Sequence, residues 1–204
     1  MKSQIATCAI LAGSLVLCGC KTVKYPGASD ESAPSAVDLT LETEPDSGNQ
    51  TNPQYDKHRL HAAMRPAGSS ISTMATATVA ENETILIRVT ARDDESGIKT
   101  LRVAGMSRLC QSGPGGTATP VEYQADREWA FKDFAPNGKG RIPKQAVVQN
   151  KVSIAPLLRV TRPDGTVASG DNASFQFSVE VVNGSGRQSS TQWLEYRVGK
   201  VACP

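Results

Sequence analysis

The feature that most restricts the fold of this chain is a period-two alternation of apolar and polar residues. Every second residue is apolar in residues 85–91, 175–181 and 194–198. Successive side chains of a β-strand point to opposite faces of its sheet, so this pattern is typical of strands with one buried face. The sequence therefore predicts several short strands, each packed on a core through one side.

Turn signals separate these strands. Clusters of Asp, Asn, Gly and Pro occur at residues 93–97, 136–138, 163–165 and 183–186, and these residue types favour tight turns. Five apolar residues of the stretch 148–160 fall on one face, and Pro156, which cannot donate a ladder hydrogen bond, marks a bulge, an edge or a break into two strands. Short strands between turns, without a long helical period, predict an all-β sandwich or barrel.

A family resemblance supports the sandwich. Residues 85–103 form a strand ending in Ala-x-Asp, followed by a Ser-Gly-Ile turn and a second strand, which resembles the B–C hairpin of bacterial immunoglobulin-like domains. Residues 174–198, with the turn at 183–186, are similar to the closing hairpin of that class. The resemblance covers residues 71–104 and 145–199. It implies an Ig-like antiparallel β-sandwich over residues 71–204, in which residues 105–145 form a long decorated loop.

That predicted loop contains the candidate binding residues. Four of the ten aromatic residues of the chain lie within residues 123–134, among them Tyr123, Trp129 and Phe131. Aromatic side chains on a loop suit recognition because they bury a large area with few rotatable bonds. The alternative is a small satellite core beneath the loop. Trp193, beside the last strand, is the fourth candidate.

The segment before the sandwich differs in composition. Between Asp30 and Asp56 there are seven acidic residues and no Lys or Arg, and residues 21–52 are rich in Ser, Pro and Thr. Such a segment buries too little apolar surface to fold, which predicts a flexible tether over residues 20–70. Asn52-Pro53 is the type of sequence that begins a short helix, here extending to about Met64.

The first 20 residues suggest a membrane anchor. A basic start is followed by a short apolar stretch, and Leu17-Cys18-Gly19-Cys20 resembles the bacterial lipoprotein box. The apolar stretch is shorter than the roughly 20 residues of a spanning helix. The resemblance implies a signal peptide over residues 1–19 and lipid on Cys20, and Lys21 favours the outer membrane. An ordinary secretory signal and a retained membrane helix are the alternatives.

Two cysteines remain after removal of the signal and lipidation of Cys20, namely Cys110 and Cys203. An even pair in an oxidising compartment predicts a disulfide. It would close a long loop and contribute roughly 4–5 kcal/mol in the chain-entropy model. Two free thiols are the alternative.

Metal and catalytic sites are weakly indicated. Asp93, Asp94 and Glu95 resemble the acidic turns with which cadherin-like sandwiches bind Ca²⁺, but one cluster offers few of the six to eight oxygens required. A solvated turn, with Asp93 bonded to backbone amides, is the alternative. His58 and His61 stand three residues apart, without a nearby third ligand.

The expected function is binding rather than catalysis. The sequence contains no nucleophile elbow, phosphate loop or zinc-protease motif. The formal charge of +2 argues against nucleic-acid binding. We expect a lipid-anchored outer-membrane module without a cofactor, which binds a protein or glycan partner of the cell envelope. A Ca²⁺-dependent adhesion module and an envelope enzyme acting on glycan are the alternatives.

Overall fold

The computed structural model describes residues 32–45, 58–64, 74–136, 141–199 and 203, without the side chains of Pro45 and residues 122–126. The described residues form strands and two short 3₁₀ turns. In chain order the strands are β1 (Ala36–Pro45), β2 (Arg59–Ala63), β3 (Ala75–Val79), β4 (Glu83–Arg92), β5 (Ile98–Ser112), β6 (Ala118–Asp133), β7 (Gln145–Ser153), β8 (Arg159–Thr161), β9 (Val167–Ser169), β10 (Asn172–Asn183), β11 (Gln188–Ser190) and β12 (Leu194–Val198).

Two sheets pack face to face. Sheet 1 has the order β2-β1-β4-β7 and is antiparallel throughout. Sheet 2 has the order β3-β12-β10-β5-β6, with β11 also paired to β10 and only β3 parallel to its neighbour. The arrangement is that of an Ig-like sandwich, in which strands B and E (here β4 and β7) face strands C, F and G (here β5, β10 and β12). The predicted fold class is therefore confirmed.

The core lies between the sheets and consists of the alternate apolar residues that the sequence pattern indicated. Ile85, Ile87 and Val89 of sheet 1 are at most 1% exposed, and so are Phe175 and Phe177 of sheet 2. Burying a side chain of this kind stabilises the fold by about 1.5–3 kcal/mol. The core thus joins the two sheets into one sandwich.

The predicted tether is wrong for residues 36–45. These residues form β1, which lies inside sheet 1 between β2 and β4 and pairs with β4 over its whole length. Its Val37, Leu39 and Leu41 are at most 1% exposed. The short helix is also wrong where it is described, because residues 59–63 form strand β2. Three well-placed apolar residues suffice for a core strand when neighbouring strands supply the rest of the buried surface.

The decorated loop predicted for residues 105–145 is wrong as well, because β5 and β6 form a long antiparallel hairpin across most of that range. The register between the two strands shifts at three places: Val103/Ala104, Gly105/Ser107 and Leu109/Cys110. Each bulge adds an unpaired residue and moves the following side chains to the other face. The period-two signal is therefore interrupted, although the backbone remains extended.

Strand directions place the first described residue, Ser32, and the last, Cys203, at opposite poles of the sandwich. The N-terminal pole comprises residues 32–35, 92–99, 132–136, 141–144 and 183–188. The C-terminal pole comprises residues 79–83, 112–118, 154–171 and 203. It includes a 3₁₀ turn at Ala155–Leu158, which separates β7 from β8. Of the three alternatives predicted for Pro156, the break into two strands is the one observed.

Candidate functional site

A polar groove lies on the outer face of sheet 1. Because alternate residues of a strand share a face, the register brings side chains from all four strands into rows across this surface. In one row Thr40 stands opposite Arg88, and Arg88 stands opposite Gln149. The groove has a volume of about 610 Å³. Its lining consists of Thr40, Glu42, Arg59, Leu86, Ile87, Arg88, Gln149, Asn150 and Lys151.

Arg88 stands at the centre of this groove. With its amide oxygen turned toward β4, Gln149 accepts two hydrogen bonds from Arg88, from Nη2 and Nε at 2.9 Å each. This contact fixes the plane of the guanidinium while leaving its charge uncompensated by Gln149. Leu86 is half-buried on the same face of β4 and supplies an apolar floor.

Ion pairs flank the centre. Arg59 Nε lies 3.3 Å from Glu42 Oε1, and Lys151 Nζ lies 2.7 Å from Glu44 Oε1. All four of these side chains are partly exposed, and such pairs contribute only about 0–1 kcal/mol to stability. They therefore serve chiefly to hold cationic and anionic groups at the rim, around the Arg88 guanidinium.

The chemistry of this surface suits binding. A volume of about 610 Å³ lies within the usual range of ligand sites, about 300–1,000 Å³. Guanidinium, ammonium, amide and hydroxyl groups together offer several donors, and a planar guanidinium is well suited to a carboxylate or phosphate. The groove therefore fits a ligand with anionic and hydrogen-bonding groups.

Trp129 does not belong to a recognition surface, so its prediction as a binding residue is wrong. Its side chain is 5% exposed and packs on Phe177, with ring centroids 4.7 Å apart. Its Nε1 donates to the backbone oxygen of Gln176 at 2.8 Å. The bulge at Gly105 makes room for this contact, because a Cβ there would lie 1.8 Å from the same oxygen.

The other predicted aromatics are not assembled into one site. Phe131 is 53% exposed on the outer face of sheet 2, opposite Arg102. Trp193 is half-buried just before β12. Tyr123 belongs to β6, but its side chain lies outside the described residues. The guanidinium of Arg127 lies 4.8 Å from the Trp129 ring centre.

The acidic turn is held together by its own chain. Asp93 is 2% exposed, and its Oδ1 accepts hydrogen bonds from the amides of Glu95, Ser96 and Gly97 at 3.1, 2.8 and 3.1 Å. Its Oδ2 accepts from Asn183 Nδ2 at 3.0 Å. These contacts match the predicted alternative of a carboxylate bonded to backbone amides, in a buried rather than solvated setting.

The calcium site considered from the sequence does not form at this turn. Asp94 is directed to Arg92, whose guanidinium lowers the pKa of the Asp94 carboxyl, chiefly through a hydrogen bond. Glu95 accepts a hydrogen bond from Ser32. His61 pairs with Asp38 instead of with His58. Among the described residues, no three His, Cys, Asp or Glu side chains come together as metal ligands.

The predicted disulfide between Cys110 and Cys203 is confirmed. It fixes the end of the chain to β5 at the C-terminal pole. Nearby, Asp171 Oδ1 accepts from the amide of Ser112 and from Asn172 Nδ2, each at 2.7 Å. Hydrogen bonding, with Ser112 as the largest contributor, lowers the pKa of Asp171. Cys20, the predicted lipidation site, lies outside the described residues.

Sequence reasoning missed the groove. Arg88 was visible as an outward-facing polar residue of an alternating strand, but the assignment of β1 and β2 to a tether removed half of the surface. The available signal was the alternation of Val37, Leu39 and Leu41 with polar residues. That signal places Thr40 and Glu42 on the outer face of a strand.

Comparison with known proteins gives no family. No family model matches the chain, and no curated protein matches it. None of the described helical turns is long and apolar enough to cross a membrane.

The comparison with solved structures finds several structures of a beta-glucosidase from Listeria innocua. The complexes with gluconolactone and with glucose, and a third structure of that enzyme, give TM-scores of 0.34, 0.33 and 0.32 at 14%, 14% and 15% sequence identity. The match covers 65–66% of this chain and 16% of the enzyme. A likeness this distant carries no argument about the function of the chain.

Proposed function

We propose that this chain is a lipid-anchored binding module of the bacterial cell envelope, with the groove on sheet 1 as its partner site. The observation that carries the proposal is the arrangement around Arg88: a charged side chain oriented by Gln149, on a rigid sheet, within an open groove of about 610 Å³. A preorganised guanidinium binds an anionic group without the cost of ordering a flexible side chain.

The proposed partner is a protein or glycan of the envelope that presents a carboxylate or phosphate. Arg59 and Lys151 flank the centre of the groove, and each is paired with a carboxylate, of Glu42 and of Glu44 respectively, so the preference for an anionic group comes chiefly from the Arg88 guanidinium, which Gln149 orients without neutralising. This lining favours an anionic group over a cationic one. The position of the lipoprotein box supports an envelope location, with the diacylglycerol on Cys20 as the anchor and the outer membrane as its site.

A site-specific photo-crosslinking experiment in the native host tests the partner site. A photoreactive residue is placed at Thr40, inside the groove, and in a matched strain at Thr119, which is exposed on β6 far from the groove. We expect a discrete crosslinked envelope component from position 40 but not from position 119. Arg88→Ala should abolish that product, since the variant loses the central cation.

Two controls make the outcome decisive. Arg102→Ala removes an arginine from the outer face of sheet 2 and should leave the product unchanged. Thermal unfolding should show that Arg88→Ala retains the fold, because Arg88 is exposed. A crosslink that persists in Arg88→Ala, or the same bulk products from both positions, would contradict the proposed site. Intact-mass analysis of the native protein tests the anchor, and an unmodified Cys20 would contradict it.

A further inference from the structure

The first described residues of the chain are fixed to the N-terminal pole. The Ser32 carbonyl accepts a hydrogen bond from Asn183 Nδ2 at 2.9 Å. The Pro34 carbonyl accepts one from Ser189 Oγ at 3.1 Å, and the Ser35 amide donates to the Arg92 carbonyl at 3.0 Å. Pro34 itself is buried. The chain is thus held to the sandwich from Ser32 onward, well before strand β1 begins.

This docking leaves a short connection to Cys20. Eleven residues, 21–31, separate Cys20 from Ser32. In any conformation, twelve Cα–Cα steps span at most about 40 Å. Strand β10, whose 12 residues run from one pole to the other, is itself about 40 Å long at roughly 3.4 Å per residue. A lipid on Cys20 therefore allows the N-terminal pole to reach the bilayer easily. For the C-terminal pole to reach the bilayer, residues 21–31 would have to be almost fully extended along the sandwich.

The charges of the two poles differ in sign. Among the described residues, the N-terminal pole has six exposed basic side chains and three exposed acidic ones, a formal charge of +3 on its exposed side chains, or +2 when the buried Asp93 is included. They are Arg92, Lys99, Lys132, Arg141, Lys144 and Arg187 against Asp94, Glu95 and Asp133. The C-terminal pole has Arg159 and Arg162 against Glu81, Asp164 and Asp171, a formal charge of −1 on its exposed side chains, or −2 when the buried Glu83 is included.

The connecting residues do not cancel this difference. Lys21 and Lys24 balance Asp30 and Glu31, so residues 21–31 carry no net charge. Membrane surfaces that contain anionic phospholipid attract basic segments near an anchor. The attraction decays over a Debye length of about 8–10 Å at physiological salt, so it acts only on the pole that lies against the headgroups.

We infer that the N-terminal pole is a membrane-contact surface, which rests on anionic phospholipid headgroups and turns the C-terminal pole away from the bilayer. This inference rests on the proposed lipid anchor at Cys20. Sheet 1 then stands with its strands roughly along the membrane normal, and the groove faces sideways, where it is open to a partner in the same compartment. The basic pole orients the module, and the groove remains free to bind.

Energy transfer in vesicles tests the orientation. The lipidated full-length protein carries a fluorophore at Gln188→Cys on the N-terminal pole or at Ser169→Cys on the C-terminal pole, and the lipid headgroups carry the acceptor. We expect stronger transfer from position 188 than from position 169 in phosphatidylcholine vesicles with phosphatidylglycerol. The difference should shrink without phosphatidylglycerol. Equal transfer from both positions in the anionic vesicles would overturn the inference.

Charge reversal tests the surface independently of the anchor. The Cys20→Ala chain is sedimented with phosphatidylglycerol-containing vesicles at low ionic strength. The affinity of the triple variant Lys99→Glu/Lys144→Glu/Arg187→Glu for these vesicles should be lower by at least about tenfold, because each reversal replaces attraction by repulsion. The matched variant Arg159→Glu/Arg162→Glu should bind as the parent does.

The two experiments separate the possible failures. Vesicle binding that does not depend on the three reversed residues would overturn the membrane-contact surface, whether or not Cys20 carries lipid. An unmodified Cys20 in the native protein would instead remove the anchor, while pole-dependent binding of the Cys20→Ala chain would still support the basic surface.

Discussion

At the scale of single residues, Asp93 organises the turn between β4 and β5. One carboxylate oxygen accepts three successive amides, and the last of these belongs to Gly97, whose φ of 77° favours glycine. The other oxygen accepts from Asn183 at the end of β10. A single side chain thus joins the turn that connects the two sheets to strand β10 of sheet 2. This role resembles that of a helix cap, because it satisfies several amides that would otherwise be buried without partners.

Asp93→Ala should lower the free energy of unfolding by about 3 kcal/mol, because it leaves buried donors without an acceptor. Asp94→Ala is the matched control, since Asp94 is exposed and forms a surface ion pair with the neighbouring Arg92. Its urea midpoint should equal that of the parent. Equal destabilisation by the two variants would show that the negative charge of the turn, rather than the buried hydrogen bonds of Asp93, stabilises the fold.

Trp129 is a core residue with one polar contact. Trp129→Phe removes the hydrogen bond to Gln176 but keeps an aromatic ring against Phe177, and we expect a loss of about 1–2 kcal/mol. Phe131→Ala, two residues away on the exposed face, should change stability by less than about 0.5 kcal/mol. Chemical denaturation followed by circular dichroism measures both. A larger effect of Phe131→Ala would contradict the assignment of the two faces.

Asp171 makes stability dependent on acid pH. Hydrogen bonds from Ser112 lower its pKa in the folded state relative to the unfolded chain. A lowered folded-state pKa stabilises the fold above the unfolded value of about 3.9, and this contribution is lost as the pH falls through the folded value. Asp171→Asn should therefore flatten the decline of the thermal midpoint below about pH 4. Gln192→Glu, at an exposed residue elsewhere, should not flatten it.

At the scale of elements, β1 shows how composition can conceal a strand. Its apolar residues alternate correctly, but the Ser- and Pro-rich sequence on both sides led to the prediction of a tether. The alternation is short, and its significance depends on β4, which lies more than 40 residues later in the chain and supplies the pairing edge. Local composition reports the mean burial of a segment, whereas a strand needs only one buried face.

Leu39→Ala tests whether β1 belongs to the folded core. Leu39 is completely buried, and such truncations cost about 2–5 kcal/mol. Thr40→Ala, on the opposite face of the same strand, should cost less than about 1 kcal/mol. Guanidinium denaturation of both variants measures the difference. Similar stability of Leu39→Ala and the parent would restore the tether interpretation.

At the scale of the whole molecule, the disulfide connects the chain end to the middle of the sequence. Cys110 and Cys203 are separated by 93 residues. The double variant Cys110→Ser/Cys203→Ser should be less stable by about 4 kcal/mol in the chain-entropy model, because the unfolded chain regains the freedom of the open loop. Reduction of the parent protein should lower its thermal midpoint similarly, and reduction of the double variant should have no further effect.

The sequence by itself determined the strand class, the faces of β4, β10 and β12, the sandwich and the cysteine pair, because these depend on local alternation, on turn residues and on the number of cysteines. It also suggested the two alternatives for Asp93, one of which the contacts match. Only the tertiary structure decided the place of β1, the path of the β5–β6 hairpin and the burial of Trp129. Each of these depends on strands that are distant in sequence: a short apolar pattern becomes a core strand only beside a partner, and bulges erase the period that reveals a strand. The groove around Arg88 follows the same rule, since its lining comes from four strands that pairing alone brings together.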